Sequence, residues 1–133
     1  MISRHRMRVI AFQILFALNA NPDTDVDHLY SELLGDEEVV PEYLEQLVNG
    51  VREHQDELDQ TITAYLKQGW SLNRLSKTDL VILRLALYEI KFEKLPAKVA
   101  VNEAIELAKQ FSDDTSRRFI NGLLSKLIDS NEN

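Results

Sequence analysis

Cysteine is absent from the 133 residues, which excludes a disulfide framework and any cysteine-ligated zinc site and leaves a reducing compartment open. Glycine and proline are scarce, at four and three. Both weaken helix interiors and punctuate turns, so their scarcity points to a mostly helical chain. The glycines Gly35, Gly50, Gly69 and Gly122 stand singly, so neither a phosphate-binding loop nor a dinucleotide fingerprint can be built from them. Long apolar runs are missing too. The longest, Leu80 to Leu87, is broken by Arg84 and falls far short of the roughly 20 residues a membrane helix needs. At the N-terminus basic residues precede an apolar stretch, but Arg8 and Gln13 interrupt it and no small-residue cleavage site follows. No signal peptide is expected, and the cytoplasm is the expected location. His5, His28 and His54 have no partner at metal-ligand spacing, and the acidic clusters Asp36-Glu37-Glu38 and Asp113-Asp114 read as solvated or capping groups. The expectation is a protein with no catalytic residues, no metal and no cofactor: not an enzyme.

What remains is the composition of one ordinary domain, 44% hydrophobic, with a formal net charge of −7. That total conceals a strong asymmetry. Residues 1–21 carry +3, 22–59 carry −12, 60–128 carry +4 and the last five carry −2. Because salt screens exposed charges beyond roughly 10 Å, a net acidic chain of this kind can still present a basic surface.

The periodicity predicts an all-α, compact single-domain bundle of about six or seven helices over residues 1–128, with 129–133 as a disordered tail. A first helix is expected from about Ser3 to Asn19, with Met7, Ala11, Ile14, Leu15 and Leu18 facing the core. On it Arg6, Val9, Gln13 and Phe16 fall within about one quadrant, a second face mixing charge, amide and aromatic. A short helix follows at Val26–Leu34. A stripe from Leu44 to Leu66 reads as one long helix or two nearly collinear ones, with Gly50 as the weak point. Trp70 is expected to anchor the connector GWSLNRL. Ser76 and Asp79 form a capping arrangement for a helix that is apolar on nearly all sides, the centre of the bundle. Arg84 within it needs a buried partner, for which Glu103 or Glu106 on the next helix is the expectation. After Pro96, Val101, Ala104, Ile105, Ala108 and Phe111 share one face, and a last helix is expected to end near Ile128.

Two basic elements stand out. Arg4, Arg6 and Arg8 cluster at the start of a helix, where cations oppose the macrodipole at a cost of about 0.3–1 kcal/mol each. Phosphate is a natural compensating ligand, though a solvated helix start would look the same. The second element is TSRRFINGLL, where Arg117, Arg118 and Phe119 occupy the first turn of a helix. A helix N-terminus and arginine suit phosphate, and an accessible Phe can stack on a base of single-stranded RNA. Alternatively, Phe119 is a core residue in register with Leu123 and Leu127.

The stretches RHRMRVIAFQILFAL, ILRLALYEI, LPAKVAVNEAIELAKQF and TSRRFINGLLSK, in this order and spacing, resemble the NusB family of bacterial transcription antitermination factors. The acidic segment 22–59 matches it only in length and helical character. The resemblance implies an all-helical RNA-binding protein that pairs with NusE, a small-subunit ribosomal protein. The pair binds boxA RNA of nascent ribosomal RNA leaders within the RNA polymerase antitermination complex, with no membrane involved. It implies RNA contact at Arg4, His5, Arg6, Arg8, Gln13 and Phe16, and at Thr115, Ser116, Arg118 and Phe119. It places the NusE-facing surface near Asp79. His5 stands where another Arg is usual, Phe16 where Tyr is common, and Thr115 where an acidic residue can occur. The alternative is a helical protein adaptor whose acidic segment binds basic partners and whose RNA affinity is incidental.

Overall fold

The computed structural model describes residues 2–35 and 39–131. Among them are seven helices: α1 (Arg4–Ala20), α2 (Val26–Leu34), α3 (Glu42–Glu53), α4 (Gln55–Ala64), α5 (Lys77–Phe92), α6 (Ala97–Phe111) and α7 (Asp114–Asn131), with a 3-10 turn at Leu72–Arg74. No described helix is long and apolar enough to cross a membrane. The acidic connector Asp36-Glu37-Glu38 lies outside the described residues. α7 continues to Asn131, past Ile128, so the expected tail begins as helix and only its last two positions lie outside the described residues.

Side chains set most helix starts. Ser3 accepts a hydrogen bond from the backbone N–H of Arg6 at 3.0 Å, Asp25 from that of His28 at 3.1 Å, and Ser76 from that of Asp79 at 3.0 Å. Each satisfies an N–H that the helix itself cannot. Helix α5 lies at the centre and packs against α1, α3, α4, α6 and α7. Every residue from Asp79 to Glu89 is buried, as an apolar helix surrounded by others requires.

The 42–64 stripe is two helices, and the break falls at His54, not at Gly50. The His54 ring stacks on Phe92 of α5 with centroids 3.9 Å apart, which fixes the turn of the chain there. Gly50 instead serves close approach. A Cβ at this position would run into the Tyr88 ring, and that ring is held by stacking on Phe92 and by its hydroxyl, which donates to Glu93 Oε1 at 2.8 Å. On α6 the buried residues are Ala100, Ala104, Leu107 and Ala108. Val101 and Phe111 pack at the margin of the core, and Ile105, expected on the same face, is half-buried.

Two arginines are interior. Arg84 is buried and paired as expected, but its partner is Asp59 of α4, not Glu103 or Glu106. Nε donates to Asp59 Oδ1 at 2.7 Å and Nη2 to Oδ2 at 2.9 Å, while Nη1 reaches Asn19 Oδ1 at 3.3 Å. Arg84 faces α1 and α4, so it cannot reach the carboxylates of α6. Arg8 lies between α1, α3 and α5. Its Nε donates to Glu89 Oε1 at 2.8 Å and its Nη2 to Glu89 Oε2 at 3.0 Å, with Tyr43 Oη at 3.2 Å from Nη2. Burial opposes the Arg8 charge, but Glu89 and Tyr43 outweigh it and raise the guanidinium pKa above its ordinary value. Burial and the bond to Glu89 push the Tyr43 hydroxyl up to about 12.

Two stability measurements follow from this packing. Gly50→Ala is expected to lower the unfolding free energy by about 1–3 kcal/mol, the cost of overpacking a close contact, as read by urea denaturation. Arg8→Ala leaves Glu89, 2% exposed, as an unpaired buried charge, and is expected to cost about 3–5 kcal/mol. Arg8→Met combined with Glu89→Met is expected to cost far less. Equal losses in the single and double variants would show that the pair contributes through packing alone.

Candidate nucleic-acid interface

The residues expected to meet RNA separate into surface and interior groups. Arg4 is exposed, with its guanidinium carbon 3.7 Å from the centroid of the Tyr43 ring. Arg6 is exposed, and its Nη2 donates to the Leu33 carbonyl at 3.3 Å. His5 is exposed, with Nδ1 3.1 Å from Glu103 Oε2. Arg8 does not belong to this surface: it is 5% exposed, and a guanidinium bound to a buried carboxylate has no side to offer a phosphate. The run RHRMR therefore divides by helical phase. Arg4, His5 and Arg6 emerge at the capped start of α1, whereas Arg8 turns inward beside Ala11 and Leu15.

About 15 Å further along α1, at 1.5 Å per residue, Gln13 and Phe16 line a cleft with Phe12, Phe111 and Thr78. Its volume is about 280 Å³. The Phe12 and Phe111 rings stack at 4.6 Å, and Phe16, 38% exposed, forms the outer wall. Gln13 Oε1 is sealed in the wall without a hydrogen-bond partner. Thr78 belongs to the first turn of α5, and its neighbour Asp79 carries the geometry onward to α7.

At the start of α7, Asp113 Oδ1 accepts from the Ser116 N–H at 2.9 Å, so among the candidate caps in SDDTS Asp113 is the one used. Thr115 and Arg118 are exposed, and Phe119 is half-buried. Phe119 packs on the core while one side lines a surface groove with Arg118. Ser116 is buried. Its Oγ accepts from Ser112 Oγ at 2.7 Å, so this hydroxyl is part of the turn and not of the exposed surface.

Asp79 is also buried, at 7% exposed, which makes it a support beneath the surface rather than an open docking side chain. Its Oδ1 has no hydrogen-bond partner. Burial raises its pKa, the hydroxyls of Ser116 and Ser76 pull it back, and Asp113 adds a smaller upward push. The first turn of α5 thus lies between the aromatic cleft and the first turn of α7.

Three residues of this region were missed by sequence reasoning. Tyr43, which carries Arg4, comes from the acidic segment. Phe111 looked like core alone. Trp70, expected as the anchor of its connector, is 49% exposed. A lone Trp in a connector flanked by Lys67 and Arg74 was the available signal.

Asp79 makes a pH-dependent prediction. A carboxyl whose folded pKa lies above its unfolded value, about 3.9, favours the fold when protonated and penalises it when ionised. Asp79→Asn is therefore expected to raise the melting temperature by a few degrees at pH 7, with the gain vanishing below about pH 4. A gain that is the same at both pH values would assign the effect to something other than ionisation.

Three comparisons bear on this arrangement. The NusB family model matches residues 5–129. The chain is 56% identical over 137 residues to the transcription antitermination protein NusB of Lactiplantibacillus plantarum, covering 99% of each. Its fold is similar to that of T. maritima NusB, with a TM-score of 0.81 at 37% identity over 95% of this chain and 90% of that one. It is also similar to a chain in the crystal structure of the antitermination factors NusB and NusE in complex with dsRNA, with a TM-score of 0.81 at 25% identity and 96% coverage of both. With the family model matched across nearly the whole length and the all-helical architecture in agreement, the chain belongs to the NusB family.

Proposed function

We propose that this chain is a transcription antitermination factor that binds boxA-type RNA of nascent ribosomal RNA leaders together with NusE, helping RNA polymerase read through terminators in the cytoplasm. The observation that carries the reading is the continuity described above. The aromatic cleft on α1 reaches the first turn of α5 at Thr78, whose neighbour Asp79 lies against Ser116 at the N-terminal turn of α7, and the exposed Arg4 and Arg6 stand further along α1. A homologous structure holding NusB, NusE and dsRNA gives the partner class.

The reading assigns phosphate contacts to Arg4, Arg6 and Arg118, with His5 and Thr115 at their flanks. Gln13, Phe16 and Phe119 provide the base-facing part. Arg8, Ser116 and Asp79 act from below by fixing α1 and α7. The role is binding, with no catalytic step. The exposed patch is small, so affinity without NusE is modest and NusE supplies further contact area.

Phosphate neutralisation releases counterions, so log K for a single strand falls with log salt at roughly −0.7 per contact. BoxA binding is therefore expected to be weak alone, tighter with NusE and steeply salt-dependent. Arg6→Glu and Arg118→Glu are each expected to weaken it at least tenfold while shifting stability by no more than about 0.5 kcal/mol. Fluorescence anisotropy with labelled RNA at several salt concentrations, beside thermal melts, measures both. Salt-independent binding that neither change affects would leave the adaptor reading, in which RNA affinity is incidental.

A further inference from the structure

Between the end of α4 and the face of α7 runs a groove of about 380 Å³ that the α1 contacts leave unused. Its floor is aromatic and aliphatic, with Tyr65, Trp70 and Phe119 as the rings, and its rim carries Lys67, Arg118 and Lys126. No acidic residue lines it, in a chain with a net charge of −7. Trp70 is 49% exposed, and the guanidinium of Arg74 stands 5.9 Å from its ring. The volume lies within the roughly 300–1,000 Å³ of pockets that hold small planar ligands.

Two features select the occupant. Rings beneath a rim of cations alone match a nucleotide, which offers a π-face to stack and a phosphate to neutralise. A purely apolar peptide segment has no use for three surrounding cations. The groove is also continuous with the proposed RNA surface, because Arg118 and Phe119 belong to both.

We propose that this groove is a second RNA subsite: a single-stranded nucleotide flanking the boxA segment enters it, its base stacking on Trp70 and its phosphate meeting Arg118 and Lys126. The inference rests on the RNA-binding reading above and extends it to RNA outside boxA. The base must be unpaired, since one locked in a duplex cannot present its face to Trp70.

Trp70 is the only tryptophan, so its fluorescence reports on the groove directly. The full-length chain is titrated with a minimal boxA RNA, with the same RNA extended at either end by unpaired nucleotides, and with the extension paired into a duplex. Extension at one end is expected to quench Trp70 and to tighten binding about five- to 150-fold, the equivalent of roughly 1–3 kcal/mol for stacking one base. Pairing the extension should abolish both effects. Trp70→Ala is expected to lose the gain from extension and Trp70→Phe to keep most of it, with thermal melts confirming that both fold. Lys126→Ala should lower the salt slope for the extended RNA by about one contact.

If neither extension quenches Trp70 and Trp70→Ala binds the extended RNA as the unmodified chain does, while Arg6→Glu still weakens boxA binding, the subsite is refuted and the RNA reading stands. Quenching by NusE in the absence of RNA, with no further response to the extension, would also refute it and make the groove a protein contact. If Arg6→Glu has no effect either, the RNA-binding reading falls with it.

Discussion

Helix α5 is buried along its whole middle, from Asp79 to Glu89, and hydrophobic burial alone does not say which neighbour belongs on which side of it. Three charged residues do. Asp79, Arg84 and Glu89 occur at intervals of five, and at 100° per residue each step turns the side chain by about 140°, so the three point in well-separated directions. Asp79 looks toward the hydroxyl of Ser116 at the start of α7. Arg84 takes Asp59 of α4 and Asn19 at the end of α1. Glu89 takes Arg8 of α1 and Tyr43 of α3. A buried ion pair often adds little net stability over a well-packed apolar pair, whereas removing one partner is expensive. What these pairs provide is direction: a slip of α1 or α4 by one residue would strand a charge in the interior.

The outer surface depends on that interior arrangement. With Arg8 fixed on Glu89, the phase of α1 is set, and Arg6, Gln13 and Phe16 are turned outward along one side. With Asp79 beneath Ser116, the first turn of α7 is seated on the start of α5, whose Thr78 also lines the cleft with Phe16 and Phe111. The acidic α2–α4 region meets these arginines through Tyr43, whose ring lies under Arg4, and through the Leu33 carbonyl, which accepts from Arg6. This explains how a net acidic chain keeps a basic face: its negative charge is concentrated on different helices.

Much of this was readable in the sequence because the relevant signals are local. Ser76 with Asp79 marked the start of α5, Pro22 marked the end of α1, and the all-round apolarity of residues 80–87 marked the central helix. The phase of α1 was equally readable, since Arg8 lies close to Leu15 on a helical projection and Arg6 lies far from the apolar stripe. Reading the arginines as a cluster obscured that difference. Other features depend on partners distant in the chain. Nothing local to His54 breaks a helix, and the ring it stacks on, Phe92, lies 38 positions later in the numbering. Gly50 resembled a weak point because the Tyr88 ring that requires it belongs to another helix. The partner of Arg84 was misplaced because sequence proximity suggested α6, while the packing put α4 opposite.

The arginines also differ in what holds them, and this separates structural from ligand-binding roles. Arg8 and Arg84 are bound by carboxylates in the interior; moving either to a phosphate would leave a buried charge unpaired. Arg4 and Arg6 are held instead by neutral acceptors, the Tyr43 ring and the Leu33 carbonyl. Leu33 lies in the last turn of α2, where free carbonyls carry the negative end of the helix dipole. That negative end offsets the unfavourable position of Arg6 at the start of α1, and it holds the side chain with a bond that a phosphate can replace. Exchange then trades a bond from the guanidinium to a neutral carbonyl for one to an anionic oxygen, in which both partners are charged. The same physics that commits Arg8 to the interior leaves Arg6 free to exchange its partner.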